Sequence, residues 1–236
     1  MKYKSRAIAL RYIKHGENAI IAKIFTEKKG LQSFIIKGVR NKKSKKKLGL
    51  FQALQLSNIN ATYLPKKKLQ YLIDIGLLNS QIEKGGGDMK KKFLSLFLAE
   101  VTSKVLRGDE VDRPLFQFLW GLKTTLASSN QIDPNFAILF MINLSKYLGF
   151  YPLNKEAENA CFNLELGEFT NNPEELHCYI NKENSRYFKA LLNKQKITIP
   201  YANRNQLLLD LINYYKLQHH ELKNITSHLI IESLRI

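Results

Sequence analysis

The sequence predicts an α+β chain in which a small N-terminal β-barrel precedes an all-helical domain. Three observations predict it. Over the first 80 residues apolar side chains recur with partial period-two alternation. After the triplet Gly85-Gly86-Gly87 they recur at helical spacing. The positive charge is gathered in the first third of the chain.

Taken in order, the strands are RAIALRYI, NAIIAKIF, LQSFIIKGV, LFQALQLSNINATYL and LQYLIDIGLL, parted by the turn material HGEN, TEKKG, RNKKSKKKLG and PKKK. Five such strands within about 75 residues suit an OB-fold or SH3-like barrel. On this reading KGVRNKKSKKKLGLF (37–51) is a hairpin connection between the third and fourth strands, and Pro65–Lys68 a second basic hairpin between the fourth and fifth. The expected domains are an OB-fold at 1–80, a Gly-rich linker at 81–87, and a helical domain at 88–236. Asp88 caps MKKKFLSLFLAEVTSKVLRG, and Asp112 with Pro114 starts LFQFLWGLKTTLASS. Asp133-Pro134 is an N-cap with proline at the first helical position, opening FAILFMINLSKYLG, which Gly149 ends. Periodicity fails from about 151 to 180, an irregular insertion, and then RYFKALLN, NRNQLLLDLINYYKLQ and ELKNITSHLIIESLRI return to helical spacing.

A chain of 236 residues with 44% apolar and 11% aromatic residues has material for a core, and no apolar run is long enough to span a membrane. The start is too regularly basic for a secretory leader. Two cysteines, Cys161 and Cys178, make no disulfide framework, so a reducing cytoplasmic location is expected. The net charge is +17. Residues 1–80 hold 18 Lys/Arg against Glu17, Glu27 and Asp74, whereas residues 81–236 hold 19 against 17 acids. Such asymmetry points to a polyanion-binding domain joined to a part with another task.

Motifs of catalysis are missing from the sequence: there is no phosphate loop, HExxH, GxSxG or dinucleotide fingerprint. GGGD (85–88) lacks the strand–GxxxxGK–helix frame of a phosphate cradle and reads as a linker. No enzyme and no cofactor is expected. Cys161, His177 and Cys178 are weak candidates for a metal, one ligand short of the four that a structural zinc takes; buried free thiols are the ordinary alternative.

The basic loops carry the binding hypothesis. From Lys28 through Ile73 there are 12 Lys/Arg and no acid. Lys37, Arg40, Lys42, Lys43, Lys45, Lys46 and Lys47 fall in the first loop, and Lys66, Lys67 and Lys68 on the second. Lysine predominance suits gripping phosphates as point charges better than reading base edges. Between Phe34 and Phe51 there is no aromatic residue, so the first loop holds backbones and offers bases nothing to stack on. A protein of this kind can bring two strands together to pair. Phe34, Tyr63 and Tyr71 are candidates for a stacking face elsewhere on the barrel, with barrel core as the other reading.

At these residues the chain resembles the bacterial RecO family of recombination mediators. The likeness is carried by SRAIALRYIKHGENAIIAKIFTEKKGLQSFIIKGVRNKKSKKKLGLFQ, with Gly16-Glu17, Phe25-Thr26, Gly30, Lys37–Arg40 and Ser44, and by the tail YYKLQHHELKNITSHLIIESL. The resemblance implies an OB-fold that binds single- and double-stranded DNA, anneals complementary strands, and helps load RecA onto strands coated by single-stranded DNA-binding protein (SSB). It implies RecR and the acidic C-terminal tail of SSB as partners, no membrane, and a nucleoid-associated, cytoplasmic setting. Many relatives carry a four-cysteine zinc module near residues 155–180; with two cysteines, this chain is expected to keep a degenerate zinc-finger-like segment without metal. The rival reading is an OB-fold RNA-binding protein of translation or ribosome assembly.

Overall fold

The computed structural model describes residues 1–39, 48–77, 88–106, 108, 110–154, 160–171, 178–218 and 225–233. The chain divides into two compact units, Met1–Gln131 and Ile132–Ile236. The expected linker, 81–87, lies outside the described residues, and the helices that follow it as far as Gln131 belong to the first unit.

In that unit β1 (Lys2–His15), β2 (Ala19–Thr26) and β3 (Gly30–Lys37) form an antiparallel meander, and β4 (Gln55–Thr62) and β5 (Gln70–Leu77) a hairpin. β4 pairs antiparallel with β1, and β5 pairs parallel with β3, closing a barrel in the order β1-β2-β3-β5-β4. This is an OB-fold. A register shift between Ala9 and Arg11 bends β1, so that Lys2–Ala9 serve β4 and Ala7–His15 serve β2. Alternation sends Ile20, Ala22, Ile24 and Phe34 into the core, with Tyr3, Ile59 and Ala61 from the other strands.

One expectation about the loops is corrected. The third and fourth strands do not form a hairpin, because β5, not β4, is the neighbour of β3. Leu50 and Phe51, which alternation assigns to the fourth strand, lie in a short 3-10 turn (Gly49–Phe51) and pack on the barrel core with Val39 and Leu48. Phe51 is buried there and Leu50 partly so, and strand pairing begins only at Gln55.

Among the described residues two longer helices follow the barrel in this unit. α1 (Met89–Val105) is capped by Asp88, which accepts from the Lys90 N–H at 2.9 Å, and α2 (Arg113–Ser128) by Asp112, which accepts from the Leu115 N–H at 2.8 Å. α2 is fastened to the barrel by Phe116, 5.6 Å from Phe25 between ring centroids. Beside this pair the Arg6 guanidinium lies 4.9 Å from the Trp120 ring centroid and donates to both carboxylate oxygens of Glu27, at 2.6 and 3.0 Å. Gln117 donates to the same carboxylate at 3.1 Å.

The second unit holds α3 (Phe136–Tyr147), β6 (Cys161–Asn163), β7 (Glu168–Thr170), β8 (Tyr179–Ile180), α4 (Lys182–Leu192), α5 (Tyr201–Gln218) and α6 (His228–Ser233). α3 begins at Phe136, so Pro134 sits in the preceding turn, where the Asp133 carboxylate accepts from the Asn135 N–H at 2.8 Å. The stretch expected to be irregular contains an antiparallel sheet in the order β7-β6-β8; strands of two or three residues are too short to show a period. Its β6–β7 turn packs against α5: a Cβ on Gly167, whose φ is +70°, would come within 2.8 Å of the Tyr214 hydroxyl. Tyr214 in turn donates to the Phe150 carbonyl at 2.5 Å, and Tyr215 to that of Met141 at 2.6 Å.

Candidate nucleic-acid interface

The basic β4–β5 hairpin is held by one side chain. Gln70, 2% exposed, accepts from the Leu64 N–H at 2.7 Å and donates to the carbonyls of Leu64 at 3.0 Å and Lys67 at 2.6 Å. A buried amide needs such partners, and supplying them ties the turn down, leaving Lys66, Lys67 and Lys68 exposed on it. Tyr63 enters the turn half-buried against the core, with the Lys29 ammonium 4.6 Å from its ring centroid. That contact joins the β2–β3 turn, with Lys28 and Lys29, to the hairpin lysines.

The other candidates are distributed by the register. Phe34 is fully buried, so it belongs to the barrel core and presents no face to a base; this corrects its place among the stacking candidates. Tyr71, one position beyond Gln70, points outward and is 47% exposed. Lys37 is exposed at the far end of β3, away from the hairpin. Arg40, Lys42, Lys43, Lys45, Lys46 and Lys47 lie outside the described residues.

Between Lys37 and the hairpin the outer face of the barrel carries a pattern that only the register discloses. Ile13 pairs with Ile21, Ile21 with Ile35, and Ile35 with Tyr71, one apolar row across four strands. On one side runs the row Arg11, Lys23 and Ser33, and on the other His15, Ala19 and Lys37. Arg11 and Lys23 thus stand directly opposite each other, a like-charge pair that costs a sheet stability. Sequence reasoning missed Arg11, Lys23 and Gln70. Gln70 was discoverable, as a polar residue at an inward position of an alternating strand.

The balance of charge is strongly positive. The described residues of the barrel hold 12 Lys/Arg against Glu17, Glu27 and Asp74. Of these acids Glu27 is already taken: the Arg6 guanidinium holds its carboxyl below the usual carboxylate range, and Glu27 raises Arg6 in return. No three His, Cys, Asp or Glu side chains among the described residues gather as metal ligands. Cys161 is buried at the start of β6, whereas Cys178 lies beyond its other end, where its carbonyl accepts from the Leu164 N–H at 3.1 Å. His177 is outside the described residues. No helix among those residues is long and apolar enough to cross a membrane.

The chain thus joins a closed OB barrel with a predominantly basic surface to a mainly helical region. Family comparison gives the particulars. Residues 1–81 match the family model "Recombination protein O N terminal", and residues 87–227 match "Recombination protein O C terminal". The chain is 31% identical over 223 residues to the DNA repair protein RecO of Christiangramia forsetii, with 92% of each chain covered. It is 30% identical over 224 residues to that of Bacteroides fragilis, again covering 92% of each, and 28% identical over 221 residues to that of Flavobacterium psychrophilum, covering 91% of each. The chain belongs to the RecO family of DNA repair and recombination proteins, which are non-catalytic recombination mediators.

Proposed function

We propose that the barrel binds single- and double-stranded DNA through its phosphates and anneals complementary strands. The observation that carries this reading is the predominantly basic surface of the barrel, with Lys66–Lys68 on the hairpin that Gln70 ties down and Lys37 across the face from them. Two DNA strands repel each other; a surface that neutralises both lowers the barrier to pairing. Arg40, Lys42, Lys43, Lys45, Lys46 and Lys47 are further phosphate contacts in this proposal. The protein then helps load RecA onto SSB-coated strands, together with RecR, in the bacterial cytoplasm.

The helical region serves as the docking part. A cleft of about 530 Å³ in the second unit is lined by Leu139, Ile142 and Ile197, by Lys146, Lys194 and Lys196, and by Asp133. In its wall the buried Asn135 Oδ1 has no hydrogen-bond partner among the described residues. An apolar lining with three lysines against one aspartate suits the acidic C-terminal tail of SSB.

The test is annealing of complementary oligonucleotides, naked and SSB-coated, by the wild type and by variants with Lys45–Lys47 or Lys66–Lys68 changed to glutamate. Lost annealing in both variants is expected, and unchanged annealing sinks the proposal. Equal or stronger binding of RNA than of DNA of the same length turns the reading towards an RNA-binding protein.

A further inference from the structure

We infer that Glu27 holds the place of a DNA phosphate, in a site at the junction of the barrel and α2 that it occupies until DNA arrives. The inference rests on the DNA-binding reading of the barrel and adds a phosphate site with its own internal competitor. The site stands on the stretch of β1 that pairs with β4, away from the Ile13 row. There the Arg6 guanidinium gives Glu27 a two-pronged contact, Nη2 at 2.6 Å and Nε at 3.0 Å, and the Gln117 amide adds a third donor at 3.1 Å. Such a fork of donors fits a phosphate as well as a carboxylate. Lys28 and Arg113, both exposed, direct further positive charge at the same carboxylate.

The donors keep their places when the occupant changes. The guanidinium lies against two rings of α2, 4.9 Å from the Trp120 centroid and 5.6 Å from that of Phe116, and so is positioned without Glu27. The β2–β3 turn is pinned to β1 through its backbone: the Glu27 N–H donates to the Arg6 carbonyl at 3.1 Å, and the Lys28 N–H to Ser5 Oγ at 3.2 Å. The Glu27 side chain can therefore swing away while the turn holds its shape. The Arg6 and Glu27 side chains keep 35% and 22% of their surface in water, so a ligand can reach the pair, and a pair so open to water is a weak one. From Lys28 the same turn continues through Lys29, against Tyr63, towards Lys66–Lys68 on the hairpin. Of the acids at the start of α2, Asp112 is engaged by the Leu115 N–H, which leaves Glu110 beside Arg113 as the remaining opposition. Glu27 brings one negative charge to this track, whereas a DNA backbone brings a row of them and meets all of its cations together. Base identity plays no part.

The experiment measures binding of a base-bearing strand, an abasic strand of equal length and a duplex by fluorescence anisotropy across a salt titration. Glu27→Gln is expected to bind all three about threefold or more tightly. One added phosphate contact should steepen its log–log salt slope by about 0.7 on single strands. Lys28→Ala/Arg113→Ala changes two exposed side chains and is expected to bind several-fold more weakly, with about 1.4 lost from the single-strand slope. Unchanged or weaker binding by Glu27→Gln overturns the inference. So does equal tightening in Glu17→Gln, which removes the same charge from another turn of the barrel, and so does a loss confined to the base-bearing strand. Wild-type binding with salt slopes unmoved in both variants overturns this inference alone; wild-type protein that binds none of the three probes overturns the DNA-binding reading as well. A second readout needs no variant to fold: the nuclear magnetic resonance signal of the Arg6 Nε–H is expected to shift as DNA is added to the wild type. A signal unmoved at saturating DNA refutes the assignment.

Discussion

Replacing Gln70 with leucine tests whether one buried amide organises the basic hairpin. The substitution deletes three hydrogen bonds, at 2.7, 3.0 and 2.6 Å, to the backbone of Leu64 and Lys67. At a net 0.5–1.5 kcal/mol each they sum to about 1.5–4.5 kcal/mol. Leu64 is only half-buried and Lys67 exposed, so water recovers part of the loss, and leucine buries well at an inward position. A net cost of about 2 kcal/mol follows, which for a unit of this size lowers the melting temperature by roughly 6–10 °C. The comparator changes Lys66, Lys67 and Lys68 to alanine. That variant is expected to melt as the wild type does, because the three side chains are exposed, but to lose about 2 from the log–log salt slope of single-strand binding. Thermal unfolding followed by circular dichroism, with a salt titration of binding, reads both. A Gln70→Leu protein that melts within about 1 °C of the wild type refutes the role given to the amide.

Three further outcomes are expected. Glu27→Gln removes a carboxylate whose folded pKa is depressed by Arg6, so the stability it contributes is present above the ordinary carboxylate range and fades as pH falls through the lowered value. The variant should be less stable by about 1 kcal/mol at neutral pH and should match the wild type in acid, as pH-dependent denaturant melts will show; the pair is part-exposed, which keeps the figure small. Asp210→Asn has the opposite sign: burial raises the Asp210 carboxyl, against hydrogen bonds from Gln206 and Asn184, so its ionisation counts against the fold as pH rises. This variant should melt above the wild type at neutral pH, the gap closing on acidification. Gly167→Ala combines a left-handed backbone with a Cβ 2.8 Å from the Tyr214 hydroxyl, and a loss of about 2–4 kcal/mol in urea unfolding is expected.

How much of this was legible in the sequence depends on the range of the interaction. Alternation located all five strands, and Asp88 and Asp112 announced their helices, because both signals lie within a few residues. Which strands are neighbours does not follow from the same pattern, so the sequence reads as a hairpin between the third and fourth strands where β5 in fact lies beside β3. Phe34 and Tyr71 look alike as aromatic residues in strands; only the barrel's closure makes one core and the other surface. The Arg11–Lys23 pair and the isoleucine row exist solely through register between strands, which no local pattern in a single chain expresses. The β6–β8 sheet escaped for another reason: its strands are shorter than any period needs.

The barrel's fifth seam has a dynamic consequence. β3 and β5 are joined through only Phe34–Gln70 and Ile35–Tyr71, whereas the antiparallel seams run along most of each strand. So brief a junction acts as a latch, and the lowest-energy local opening of the cylinder is its release into a curled, open sheet rather than global unfolding. Amide deuterium exchange around Ile35–Lys37 and Gln70–Leu72 should accordingly outpace exchange in β1 and β2.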